Sequence, residues 1–271
     1  MTVDLLKRDL APITPEAWKQ IDDEARRVLR LNLAGRKLAD LDGPHGWEHA
    51  AVNTGQLALR SDGGLGVPWG LRGVLPLIEI RVPFRVPMME LDNASRGAVL
   101  DLPMVVEAAE KAAHAEDSVI FDGFKAGGFE GIIPSCPHPP IAIPEDYADY
   151  PSVVGRAVET LRQAGVNGPY ALALGPDAYA GLAQAAEDGH PIRERVEHFL
   201  DGPMVLAPTL DGAVLLSHRG GDFQLCVGQD MSVGYADHAE GEVHLFLAES
   251  FAFRVLDRAA AVVLRPRRTK K

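Results

Sequence analysis

In the stretch LPLIEIRVPFRVPMMEL, residues 75–91, apolar side chains at Ile78, Ile80, Val82, Phe84, Val86 and Met88 alternate with Glu79, Arg81, Pro83, Arg85 and Pro87. A two-residue period gives one apolar and one polar face, so the stretch is predicted as a strand longer than the usual length of about five or six residues. Proline has no N–H to give to a ladder, so Pro83 and Pro87 restrict this strand to an edge, a bend or a bulge. A long edge strand is a liability until something covers it. Whatever this chain folds into must therefore supply a partner for that edge.

Helical signals flank the strand. Thr14 is a good N-cap, Pro15 suits the first helical position and Glu16 favours the positive end of the dipole. Trp18, Ile21, Ala25, Val28 and Leu29 follow at helical spacing, with Gly35 as a stop. A second helix is predicted after an Asp101 cap, with Leu102, Val105, Val106, Ala109, Ala112 and Ala113 as its apolar stripe. Residues 42–72 are spaced by Gly43, Gly46, Gly55, Gly63, Gly64, Gly66 and Gly70 around the short alternating segment GQLALR. That pattern predicts a two-stranded ribbon without a core of its own, a projecting arm with Trp47 and Trp69 near its ends.

From Gly123 the texture becomes loop-like, GFKAGGFEGIIPSCPHPP, which marks a lobe boundary. Residues 126–225 read as mixed α/β. Helices are expected at 151–164, after Pro176 and at IRERVEHFL closed by Gly202, with strands at YALAL, MVLAP, AVLLS and FQLCVG. The segments EVHLFLAESFAFRVL and AAAVVL are strand-like and are expected to rejoin the first lobe.

Hydrophobic content of 46% with 24% charged residues fits a folded chain and excludes general disorder. A net charge of −11 disfavours nucleic acid as a partner, although Arg265, Arg267, Arg268, Lys270 and Lys271 make the tail locally basic. Two cysteines, Cys136 and Cys226, give no disulfide framework. Charges at Asp4, Lys7, Arg8 and Asp9 interrupt any signal-peptide core, and no apolar run is long enough for a bilayer, so a cytoplasmic location with no membrane partner is expected.

No catalytic constellation emerges. There is no phosphate loop, no dinucleotide fingerprint around SDGGLG and no nucleophile elbow, so no enzyme and no cofactor are expected. His45 and His49 are four apart but lack the HExxH pattern and fall in a Gly/Pro loop. His190, Glu194 and His198 have helical spacing, but Pro191 disturbs it, and Arg193 and Arg195 are poor neighbours for a cation, so no metal site is expected. Cys136, in Ser-Cys-Pro-His, reads as an inert thiol.

Three segments in order carry a resemblance: LLKRDLAPITPEAWKQIDDEARRVLRLNLAGRKLADLDGPHGW, WGLRGVLPLIEIRVPFRVPMMELDNASRG and SHRGGDFQLCVGQDMSVGYADHAEGEVHLFLAESFAFRV. With GRK, ELDN, RGGDF and GQDxSxGY in sequence, the chain resembles the encapsulins, nanocompartment shell proteins also called the linocin-type bacteriocin family. The resemblance implies an α+β, tailed-phage capsid-like fold with a peripheral domain, an axial domain and an extended loop. By position, 1–49 would hold the docking helix and the start of the peripheral domain, and 50–74 the extended loop. Residues 75–125 would be peripheral domain with its spine helix, 126–225 the axial domain, and 226–271 the peripheral return and basic tail.

It further implies a homo-oligomeric icosahedral shell, about sixty copies in the smallest arrangement. Cargo enzymes would be held inside by a C-terminal targeting peptide, as for a ferritin-like iron-storage protein or a dye-decolourising peroxidase, functions tied to oxidative stress. Carried over by position, the peptide groove would use Arg36, Asp40, Met231, Val233 and Tyr235. Met231 and Val233 read equally well as plain core. The turn with Glu187, Asp188, Gly189 and His190 would line a five-fold pore as a negative ring. Some relatives stack a flavin on a tryptophan just before ELDN. Here that position is Met89, and although Arg81 is present no bound flavin is expected. The competing readings are a secreted bacteriocin or enzyme, and a phage capsid protein proper.

Overall fold

The computed structural model describes residues 5–61, 64, 66–187 and 190–266. Helix α1 (Pro15–Asn32) begins as the sequence indicates: Thr14 Oγ1 accepts from Ala17 N at 3.3 Å, and Pro15 opens the first turn. Its buried face is Ala17, Trp18, Ile21, Ala25, Val28 and Leu29. The helix ends at Asn32, before Gly35, which lies in the short turn that follows. Strand β1 (Asp40–Asp42) leads to the arm, β2 (Ala51–Arg60) antiparallel to β3 (Trp69–Pro76). Leu57, Leu59, Leu71 and Val74 on this ribbon are exposed.

Strand β4 (Ile78–Pro87) is the predicted alternating strand, followed by α2 (Met88–Ser95) and the long α3 (Pro103–Phe121). Asp101 does not cap α3. Leu102 occupies the N-cap position with no side-chain bond, because the residue before a proline is pushed out of helical geometry and Pro103 then starts the helix.

The second half contains α4 (Ile132–Ser135), β5 (Ile141–Ala142), α5 (Tyr150–Gln163), β6 (Tyr170–Leu174) and α6 (Pro176–Gln184). Then come β7 (Ala186–Glu187), β8 (His190–Pro191), α7 (Ile192–Glu197), β9 (Asp201–Leu206) and β10 (Ala213–Ser217). The chain closes with β11 (Phe223–Val227), β12 (Ser232–Ala239), β13 (Glu242–Val255) and β14 (Ala261–Arg265).

Two sheets organise these elements. In the first, β13 is central: β4 lies along one side and β12 then β11 along the other, with β1 parallel to β11 outside. Strand β4 is an edge, paired in unbroken register from Glu242↔Pro87 to Phe251↔Ile78. Pro83 and Pro87 have the same parity, so both missing donors can face the open side.

The second sheet runs β5-β14-β10-β6-β9, with α5, α6 and α7 packed on it. Strands β6 and β10 are buried throughout, as continuous apolar runs require when both faces are covered. Two expectations change here. AAAVVL does not rejoin the first lobe, since β14 pairs with β10. Gly202 does not close a helix: α7 ends at Glu197 and Gly202 lies in β9, where a Cβ would stand 2.4 Å from the Tyr170 carbonyl oxygen.

Two hydrophobic cores result. One joins α1, α2, the first part of α3, β4 and the first part of β13; the other joins the second sheet, β11 and the far ends of α3 and β13. Between them Asp117 on α3 is fully buried and accepts from Ala34 N (3.0 Å) and Gly35 N (2.8 Å). Glycine at 35 allows this approach without moving Ile120, whose Cδ1 a Cβ would meet at 2.3 Å.

Burial pushes the Asp117 carboxyl from 3.8 up to about 7, against the two backbone donors. A raised folded-state value means folding favours the protonated form. The stability Asp117 contributes is therefore complete below pH 3.8 and is lost as pH rises through about 7. Denaturation midpoints measured across that window should fall with rising pH in the wild type and less steeply in Asp117→Asn; equal slopes would contradict this assignment.

Candidate functional site

A groove of about 460 Å³ runs between α1 and β12. Ala25, Leu29 and Leu33 from α1 and the residue after it form one wall, and Met231, Ser232, Val233 and Leu247 the other. Charged groups mark its rim. Arg8 pairs with Asp22 (2.7 Å) and lies over the Trp18 ring at 4.0 Å, which holds the N-terminal segment against the helix. Leu6 O accepts from Tyr235 N at 2.8 Å, so the same segment docks on the outer edge of β12.

Arg36 sits at the inner end of the groove and is only 16% exposed. Its Nε donates to Glu116 (2.9 Å to Oε2), Nη1 to Asp230 (2.8 Å) and Nη2 to Glu116 and Glu249. Glu116 and Glu249 are 0% exposed. Burial disfavours the Arg36 charge, but the three carboxylates outweigh it and raise its pKa above the ordinary value. Burial, and then the charge of Glu116, push Glu249 well above the usual carboxylate range, with Arg36 opposing. The guanidinium is therefore fully engaged within its own chain.

The five residues carried over by resemblance are only partly brought together. Arg36, Met231 and Val233 line the groove. Val233 is also buried in the core, 4% exposed, while Met231 is half-buried against it. Asp40 stands apart. Its Oδ2 accepts from Gly221 N at 2.5 Å in a second cavity of about 220 Å³ with Arg219 and Asp222. Arg36 and Asp40 thus line different cavities. Tyr235 is buried, its hydroxyl 2.5 Å from His238 Nδ1.

Of the other turn, Asp188 and Gly189 lie outside the described residues, as does the tail from Arg267 on. Glu187 pairs with Arg195, and His190 is its partner across the β7–β8 pair. This pairing offsets the negative charge that Glu187 would bring to a pore. Met89 is exposed, and Arg81 lies over the Phe246 ring at 4.1 Å while pairing with Glu79. His198 Nδ1 lies 2.6 Å from Glu194 O on α7, a local bond within one helix turn. Burial, first of all, raises the Cys136 thiol, and its Sγ donates to Ala261 O at 3.0 Å, as an inert thiol would.

Glu116, Glu249 and Asp230 escaped the sequence reading. A signal existed for Glu249, which interrupts the apolar run LFLAESFAF, where a charge is tolerated only with a buried partner.

Comparison with known proteins agrees with this architecture. The model of the Linocin_M18 family, "Encapsulating protein for peroxidase", matches residues 3–252. The type 1 encapsulin shell protein of Rhodospirillum rubrum is 44% identical over 268 residues, covering 96% of each chain. That of Mycobacterium tuberculosis is 41% identical over 260 residues, covering 96% of this chain and 98% of its own. Among solved structures, the virus-like particle from Pyrococcus furiosus aligns with a TM-score of 0.65 at 16% identity, covering 92% of this chain and 100% of that one. The Gordonia phage Cozz structure aligns with a TM-score of 0.58 at 12% identity, covering 88% and 87%. The fold is the α+β capsid-like fold, and these relatives are named as shell proteins, not as enzymes. The chain belongs to the encapsulin shell protein family.

Proposed function

We propose that this chain is the subunit of a closed icosahedral compartment of about sixty copies, which carries cargo enzymes bound by their C-terminal peptides in the α1–β12 groove. The observation that carries the assembly reading is the arm. A two-stranded ribbon is marginal by itself, yet β2 and β3 project Leu57, Leu59, Leu71 and Val74 into solvent. Exposed apolar side chains on such a ribbon, beside the open edge of β4, are what a neighbouring subunit would cover. In this reading the first lobe is peripheral and the lobe of β6, β9, β10 and β14 is axial.

The groove suits an extended apolar peptide. Its lining is largely apolar, with Arg8, Arg26 and Arg30 among the charged residues that line it. Arg36 is occupied by three carboxylates, Arg8 by Asp22 and Arg26 by Asp23, so peptide direction would be set by Arg30, the lining arginine without an ion pair among the described residues. The family description supports a peroxidase as cargo; a ferritin-like iron-storage protein is the second candidate, by resemblance alone. The compartment would be cytoplasmic. Among the described residues no helix is long and apolar enough to cross a membrane.

Two experiments test this. Leu59→Glu with Leu71→Glu should leave circular dichroism unchanged but abolish particles on size exclusion; particles that persist would remove the arm from assembly. A fluorescent reporter ending in the C-terminal segment of a peroxidase or ferritin-like protein from the same organism should co-purify with shells. Met231→Asp should cut that loading about tenfold, or about 1.4 kcal/mol, with shells intact. Loading that is unchanged in the variant would exclude the groove.

A further inference from the structure

The loop that leads into the arm carries a second constellation. His45 and His49 precede β2, and Cys226 lies on β11, far away in sequence but adjacent in the fold. His49 Nε2 is 3.4 Å from Cys226 Sγ, and the two imidazoles lie tilted at 41° with centroids 4.7 Å apart. One ligand atom from each of the three lies within 4.8 Å of the others. Among the described residues this is the group of histidine, cysteine and acid side chains close enough to share an ion. Asp42 adds a carboxylate oxygen 2.9 Å from His45 Nε2, anchored on its other oxygen by Gln224 at 3.0 Å.

The backbone under these ligands is fixed. Gly43 has φ +122°, and a Cβ there would stand 2.3 Å from the Val227 carbonyl oxygen. His45 N donates to Val227 O (3.0 Å) and Gly46 N to Gly228 O (2.7 Å), so the loop is tied to the end of β11 beside Cys226.

We propose that His45, His49 and Cys226 form a binding site for a thiophilic divalent cation of the Zn²⁺ class. One thiolate and two imidazoles select zinc or cobalt over magnesium or calcium, which demand oxygen ligands. Tetrahedral bonds of about 2.0–2.3 Å place ligand atoms about 3.3–3.8 Å apart, so the widest pair, at 4.8 Å, needs to close by about 1.0–1.5 Å. Cys226 is buried, His49 half-buried and His45 exposed, which leaves the solvent side for the fourth ligand, water or Asp42. Binding displaces the Cys226 thiol proton to solvent and forms the metal–sulfur bond, while both imidazoles enter neutral. The ion would fasten the root of the arm to the first sheet, independently of whether cargo is bound.

The test uses the untagged full-length protein, stripped with chelator and titrated with Co²⁺. It should bind one Co²⁺ per chain with a thiolate-to-cobalt charge-transfer band that Zn²⁺ displaces. Cys226→Ser should abolish the band, Cys136→Ser should leave it, and His49→Gln should weaken binding at least tenfold. Should Cys226→Ser misfold, alkylation of the wild type decides: Zn²⁺ should protect Cys226 from iodoacetamide. No band, a band that follows Cys136, or no protection would overturn the site.

Discussion

The guanidinium of Arg36 sits where helix α3 and strand β13 both pass from one hydrophobic core to the other. On α3 the change falls between Ala113 and Val119, and on β13 between Leu247 and Phe251. Glu116 and Glu249 occupy those crossing points, and Arg36 binds both together with Asp230. Removing one member of such a buried set typically costs about 3–5 kcal/mol, because the remaining charges keep their desolvation penalty. Asp117, one residue further on α3, holds the backbone of the same turn. The turn after α1 is thereby fixed to both long elements. That position sets the floor of the groove and the start of β1, from which the chain runs into the arm.

This arrangement separates what is rigid from what faces outward. The two cores fix α1, α3 and β13, while the arm, the edge of β4 and the groove are surfaces whose apolar groups the chain does not cover by itself. A shell subunit needs that division. Individually modest contacts, repeated by closed symmetry, add up only if each subunit presents them in one geometry. The groove is built from the same helix face that fills the core, which is why Val233 is at once core and lining.

Much of this was legible in the sequence, and the failures have physical causes. The alternation at 78–88 gave β4, and Pro83 and Pro87 limited it to an edge, a bend or a bulge, of which the edge is what forms. Glycine spacing gave the ribbon, and Thr14-Pro15-Glu16 gave the start of α1. Asp101 misled because Pro103 fixes the helix start two residues later. AAAVVL misled because an apolar run announces a buried strand but not which sheet will receive it. Gly202 looked like a helix stop, yet its lack of a side chain serves close packing against Tyr170. The groove residues entered through resemblance. The partners of Arg36 lie 80, 194 and 213 positions away, beyond any local spacing, and Cys226 is 177 positions from His49. Long-range juxtaposition of polar groups is what the pattern of apolar residues does not encode.

The central claim is that the chain closes into a shell of defined size. Charge-detection mass spectrometry of the purified full-length protein tests it directly. Sixty or so copies of a 29.2 kDa chain predict one narrow population near 1.8 MDa, hollow when imaged. A stable monomer or dimer at micromolar concentration, or an open filament of indefinite mass, would contradict it.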